Sequence, residues 1–229
     1  MPMPEFTGKL AALRAVDLHR PVARAGIALG VPLLDERLGG GLPRGAMTEV
    51  FGHAAEGAWW LCLRALAQVR DKVCALVEPA GTLYPPGAAA LGVDLGRLLV
   101  VREPNRKKAL WALDRIAREK SVAATLAVIP RLADTELRRL QLAAEGSGQA
   151  LILLRSPAEL SRASWGALRL MIRAEPGPSR RVVVEILRMR GAAMPRPILL
   201  ELDDDTMDVR TSAVLPHRAD HAGLAQSAG

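Results

Sequence analysis

From Ile27 onward the chain alternates short apolar runs with amphipathic stretches. The runs 47–51, 73–78, 98–101, 125–129 and 149–155 are rich in Val, Leu, Ile and Ala. Such runs, apolar without a break, predict strands buried on both faces, as in parallel sheets. Helical spacing fills the gaps at 57–70, 84–91, 104–119 and 132–145. After residue 155 the pattern changes to consecutive strands at 168–173, 181–190 and 197–202, with Pro176-Gly177-Pro178-Ser179 as a turn between the first two. A parallel βαβ core extended by an antiparallel set is the predicted architecture. Ahead of it, residues 5–18 form a weakly amphipathic helix with Phe6, Leu10 and Leu13 near one face. Three regions follow: an N-terminal helix or arm over 1–25, a core over 26–212, and a tail over 213–229 that lacks apolar periodicity and reads as disordered.

The first strand–helix junction carries the most chemistry. Gly52-His53-Ala54-Ala55-Glu56-Gly57-Ala58-Trp59 keeps the two glycines of the phosphate loop G-x-x-x-x-G-K-[ST], between a strand and a helix as that motif requires. The lysine position holds Ala58 and the hydroxyl position Trp59. The lysine of such a loop neutralises phosphate and the hydroxyl holds Mg²⁺. A methyl group and an indole do neither. The loop therefore reads either as a weak anion cradle at a helix N-terminus or as a tight strand-to-helix turn. Trp59 and Trp60 read as helix packing, and His53 as a solvated loop residue.

Composition narrows the classes. Half of the 229 residues are apolar, enough for a full core, and only 3% are aromatic. The balance of 31 basic to 24 acidic residues gives a formal charge of +7, which suits anionic partners such as nucleic acid and equally suits an arginine-rich surface without one. Cys62 and Cys74 have no Cys or His at ligand spacing, so they read as buried reduced thiols in a cytoplasmic protein, and no metal site is expected. No apolar stretch is long enough to cross a membrane.

Gly30 to Gly57 resembles the opening of bacterial RecA recombinases: a Gly-x-x-x-Leu-Asp element, a Gly-Leu-Pro-x-Gly turn, a strand containing Glu, then the phosphate loop. Leu91-Gly92-Val93-Asp94, followed by Leu98-Leu99, is similar to the stretch after the second core strand of that family. The resemblance implies a RecA-like three-layer α/β fold, with a mainly parallel central sheet extended by C-terminal antiparallel strands. It also places the water-activating Glu of the family on Ala80 and the Mg²⁺-ordering Asp on Pro130. Four positions of phosphate chemistry are thus lost together, which implies a pseudo-ATPase that needs no cofactor.

The degenerate loop and short length make the chain most similar to the ImuA family, the RecA-like members of bacterial mutagenic translesion-synthesis cassettes. That likeness implies a non-catalytic adaptor in the SOS response to DNA damage. Its implied partners are an inactive ImuB-like Y-family protein and an error-prone replicative-type polymerase, with RecA itself and a second copy as further candidates. A SulA-like division inhibitor and an atypical ATPase using Glu78 or Glu56 are the alternatives. Weak DNA or partner contacts are expected from Arg138 and Arg139, after the strand that precedes the first DNA loop of RecA. Arg162, in the shortened place of the second DNA loop, and Arg188 and Arg190 of the late strands complete that set. Phe6, Leu10 and Leu13 are the candidate docking residues of the arm.

Overall fold

A computed structural model describes residues 26–79, 81–191, 195–203 and 208–216. The strands are β1 (Ala46–Phe51), β2 (Val73–Glu78), β3 (Leu98–Arg102), β4 (Val122–Ala127), β5 (Ala150–Arg155), β6 (Leu168–Glu175), β7 (Arg180–Met189), β8 (Ile198–Leu202) and β9 (Val209–Val214). They form one sheet in the order β3-β2-β4-β5-β1-β6-β7-β8-β9. Pairing is parallel from β3 through to β6 and antiparallel from β6 to β9. Every residue of β1, β4 and β5 is buried, as continuous apolar strands at the centre of a parallel sheet require.

Helices cover both faces of the parallel part. On one side lie α1 (Pro32–Arg37), α2 (Ala58–Ala67) and α3 (Pro85–Ala90), whose buried residues join Val50, Leu76, Leu126 and Ile152 in one core cluster. On the other lie α4 (Arg106–Ala117) and α5 (Asp134–Ser147), which join Met47, Val77, Leu151 and Leu153 in a second. Two buried glutamines tie this second layer to the sheet. Gln141 of α5 accepts from the Met47 N–H at 2.9 Å, and Gln149 donates to the Ile116 carbonyl at 2.8 Å while accepting from the Thr125 hydroxyl.

The opening Gly-x-x-x-Leu-Asp element has a local cause. The Asp35 carboxylate accepts from the Leu29 and Val31 N–H groups at 2.6 and 3.1 Å, closing the loop ahead of α1. Arg64, on the otherwise apolar α2, donates to the Leu29 and Gly30 carbonyls at 3.1 Å each. Gly41, at φ 106°, lets Leu42 bridge Ile27, because a Cβ there would collide with the Ile27 carbonyl.

Several sequence-based bounds shift. The fourth strand runs over 122–127 rather than 125–129. Its alanine-rich start pairs with β2 and β5, and Val128, just past the strand, still donates its N–H to the Val77 carbonyl at 2.9 Å. The helix expected at 57–70 stops at Ala67, and the strand expected at 181–190 stops at Met189. β9 was not expected at all. Phe6, Leu10 and Leu13 of the predicted arm, and Ala80, lie outside the described residues.

Candidate functional site: the degenerate phosphate loop and the segment that crosses the sheet

The loop leaves β1 in the middle of the sheet and turns through a short 3-10 helix, Ala54–Glu56, into α2. Its glycines are fixed by packing. A Cβ on Gly52 would stand 2.6 Å from the Ile172 carbonyl oxygen and 2.9 Å from the Ala58 Cβ. A Cβ on Gly57 would stand 2.5 Å from Val182 Cγ1, and Gly57 is left-handed at φ 97°. The loop is pressed onto β6 and β7, which accounts for both glycines without a phosphate.

The residues that replace the phosphate chemistry are committed elsewhere. Ala58 is fully buried in the first core cluster, and Trp59 is half-buried against it. Trp60 is buried, with the Arg64 guanidinium 5.4 Å from its ring centre. Glu56, half-buried within the loop, adds a negative charge where a phosphate would need a positive one. His53 is exposed. Among the described residues no group of three or more His, Cys, Asp or Glu is placed to hold a metal ion.

Glu78, at the end of β2, is fully buried and occupied. It accepts from the Thr82 N–H at 2.7 Å, from the Thr82 hydroxyl and from the Leu83 N–H at 3.3 Å, with Arg102 Nε 3.5 Å away. This carboxylate holds the chain at Thr82–Leu83 against the end of β2, and its lone pairs are spent on those donors. After β4, Pro130 offers its carbonyl to Arg106 Nε at 3.2 Å, and Arg131, left-handed at φ 54°, offers its own to Arg106 Nη2 at 2.9 Å. Arg106 also grips Glu136 with both terminal nitrogens. Burial pushes the Glu136 carboxyl up, but Arg106, the Ala133 N–H and Arg139 outweigh it and hold it below the usual carboxylate range. An arginine clamp thus stands where the resemblance puts an Asp for Mg²⁺.

Beside the loop lies an ionic centre that the sequence did not single out. The segment 156–167 leaves the end of β5 and crosses β1 to start β6 at the other end of the sheet, where the Ala167 N–H donates to the Met47 carbonyl at 2.9 Å. Beneath it, Glu49 is fully buried and Arg155 is 3% exposed. Arg155 pairs with Glu49 through Nη1 and with Glu159 through Nη2 at 2.9 Å. The Ser164 hydroxyl donates to Glu49. Arg169 approaches Glu49 at 3.5 Å and donates to the Leu160 carbonyl at 2.8 Å. Both guanidiniums lie over the Phe51 ring, that of Arg155 at 5.4 Å and that of Arg169 at 4.7 Å from its centre. Burial, with help from the Arg155 and Arg188 charges, pulls Arg169 down against the opposing pull of Glu49. The one sequence signal of this centre is a Glu inside an apolar strand that ends beside an Arg-terminated one.

The predicted arginines divide into two groups. Arg138 stacks over the Trp165 ring at 5.2 Å, Arg188 donates to the Ser164 carbonyl at 3.2 Å, and the Arg190 N–H donates to the Ala167 carbonyl at 2.9 Å. With exposed Arg162, they border the crossing segment. Arg139 points away, pairing with Asp114 of α4 at 3.0 Å. Arg190 lies in the turn just past β7, while Arg188 pairs with Arg169 beside the slip in β6–β7 register at Arg169/Leu170.

The comparisons with known proteins fit this frame. The family described as the RecA N-terminal domain matches residues 8–138. The chain belongs to the RecA N-terminal domain family. Protein RecA of Picosynechococcus sp. is 37% identical over 128 residues, covering 55% of this chain and 36% of that protein. Protein RecA of Arthrospira platensis is 38% identical over 128 residues, with 55% and 34% covered. The chain thus spans about a third of the length of these curated relatives. The crystal structure of the RadB recombinase superposes with a TM-score of 0.66 at 17% identity, covering 80% of this chain and 98% of that one, which shows a shared RecA-like fold. The matched family region ends within α5, so the crossing segment and the antiparallel strands of this RecA-like chain lie beyond it. Among the described residues no helix is long and apolar enough to cross a membrane.

Proposed function

We propose that this chain is a RecA-like scaffold that does not turn over ATP and serves as an adaptor in damage-induced translesion synthesis. The observation that carries the non-catalytic part is the simultaneous reassignment of the nucleotide site. Ala58 is buried in the core, Trp59 packs against it, Glu78 accepts from Thr82, and the carbonyl of Pro130 is clamped by Arg106. Phosphoryl transfer rests on positioning and charge stabilisation, and each group that would supply them is absent or engaged. The adaptor part, with an ImuB-like Y-family protein and an error-prone polymerase as partners and the cytoplasm as its place, rests on the likeness to the ImuA family. The arginine border along the crossing segment supports contact with DNA or with those partners.

The test has two arms. Purified protein with Mg·ATP, with and without single-stranded DNA, should show no turnover, and calorimetry should show no micromolar ATP binding. Turnover abolished by Glu78→Ala would overturn the non-catalytic reading. Tagged chain recovered from DNA-damaged cells should bring down translesion polymerase components. Recovery of a tubulin-like division GTPase in their place would assign the chain to division control.

A further inference from the structure

The outer surface of the α4–α5 layer carries the largest apolar exposure of the sheet-covering helices, on the sheet face opposite α2, and it borders the crossing segment only where Arg138 meets Trp165. Trp111 of α4 is 67% exposed and Leu142 of α5 is 57% exposed. Helical spacing places Lys107, Lys108, Arg115 and Arg118 at i−4, i−3, i+4 and i+7 from Trp111, with Asp114 at i+3. All four cations are exposed. The two helices share one continuous surface, because Asp114, three residues after Trp111, pairs with both Arg118 and Arg139 at 3.0 Å. Arg139 is in turn three residues before Leu142. Asp114 is thereby neutralised, and among the described residues no carboxylate pairs with Lys107, Lys108 or Arg115.

Both features need a cover of particular chemistry. A large exposed indole, joined to an exposed leucine on the neighbouring helix through the Asp114–Arg139 pair, marks an interaction surface, and Trp is among the side chains that anchor protein interfaces. The surrounding cations ask for an acidic rim. Leu142 offers no ring on which a nucleic-acid base could stack, and helices packed side by side receive a further helix between the ridges of their side chains. We infer that the α4–α5 surface docks an acidic amphipathic helix of a partner protein, with Trp111 and Leu142 as apolar anchors and Lys107, Lys108 and Arg115 as the charged rim. This surface stands independently of whether the chain binds ATP or takes part in translesion synthesis.

The test uses the full chain and a fluorescein-labelled synthetic helical peptide with Leu at helical spacing on one face and Glu elsewhere. Anisotropy should report binding that weakens with salt. Trp111→Ala should weaken it by about tenfold, the factor that corresponds to about 1.4 kcal/mol. A Lys107→Glu, Lys108→Glu, Arg115→Glu triple reversal should abolish it, while Arg70→Glu, at an exposed cation just past α2 on the opposite face of the sheet, should leave it unchanged. A peptide with Lys in place of Glu should not bind. Thermal melts will show that the variants stay folded, as exposed positions permit. Absence of peptide binding, or equal binding by Trp111→Ala, overturns the proposal. So does oligothymidylate binding that Trp111→Ala reduces while peptide binding is untouched, because the surface would then be a nucleic-acid platform.

Discussion

At the residue scale, buried charges and thiols make the sharpest statements. Arg155 is 3% exposed between Glu49 and Glu159. Removing one member of a buried ion pair leaves the others uncompensated, so Arg155→Ala should destabilise the fold by about 3–5 kcal/mol. The double replacement Glu49→Leu with Arg155→Met should recover only part of that loss, because it removes two charges and keeps the volume but leaves Glu159 and Arg169 without those partners. Urea denaturation of the three proteins checks both halves. The cysteines give a pH effect of definite sign. Burial pushes Cys62 up to about 12 and Cys74 to about 11, Arg44 and a backbone hydrogen bond opposing it at Cys74. Both thiols therefore stay protonated in the folded chain after they would ionise unfolded. Their contribution is fully present below the ordinary thiol range, at about 8.5. It is lost as pH rises through about 11 for Cys74 and about 12 for Cys62. A Cys62→Ala, Cys74→Ala protein should show a shallower alkaline decline than the parent, by up to about 1.4 kcal/mol per pH unit for each thiol. Native protein should also resist thiol reagents at neutral pH, and protein in denaturant should react.

At the element scale, the N-terminal turn of α5 depends on a residue from α4. Arg106 holds Glu136 and the carbonyls of Pro130 and Arg131 together. Arg106→Ala should destabilise by about 1–2 kcal/mol, a value lowered by the partial exposure of the pair. Because the Glu136 carboxyl is held below its ordinary range, its contribution is present above that range and disappears as pH falls through it. The acid limb of stability should therefore flatten in the Arg106→Ala variant, and urea midpoints measured across acidic pH will show it.

This clamp also shows what a linear reading misses. The apolar runs announced β1, β2 and β5, because strands buried on both faces need no partner to be recognised. A run of the same kind announced β3, but at the edge of the sheet that strand is only partly buried and not covered on both faces as its pattern predicts. β9, Val-Arg-Thr-Ser-Ala-Val, is an edge strand with mostly exposed residues, so its pattern carries little burial signal. The lost phosphate chemistry was legible because the motif is local, with Ala58 and Trp59 side by side. The ionic centre was not, since Ser164 and Glu49 meet across 115 residues of chain and Arg155 and Glu49 across 106. Trp165 carries no signal of its own in the sequence, and only the fold brings Arg138 over its ring.

At the scale of the whole molecule, the net charge of +7 is not spread evenly. Arg138, Arg162, Arg188 and Arg190 border the crossing segment, whereas Lys107, Lys108, Arg115 and Arg118 lie on α4. The first group includes a stacked Arg–Trp pair, and Trp165 is itself 39% exposed. Cations next to an accessible aromatic ring are what single-stranded nucleic acid uses, through phosphate contacts and stacking. Weak binding of oligothymidylate, steeply reduced by salt, is therefore expected at the crossing segment. Each phosphate contact on a single strand contributes about −0.7 to the slope of log affinity against log salt. An Arg138→Glu, Arg188→Glu, Arg190→Glu protein should thus bind less tightly and with a slope flatter by up to about two. The triple reversal on α4 should change DNA binding far less, since a long-range loss of positive charge is screened over about 10 Å at moderate salt. Anisotropy titrations of the three proteins over a range of salt distinguish the surfaces. If the α4 reversal flattens the slope as much as the crossing-segment reversal does, the DNA contact is a diffuse property of the net charge and the arginine border has no special part in it. If neither changes the slope, the binding is not electrostatic and the basic excess serves some purpose other than contact with phosphate.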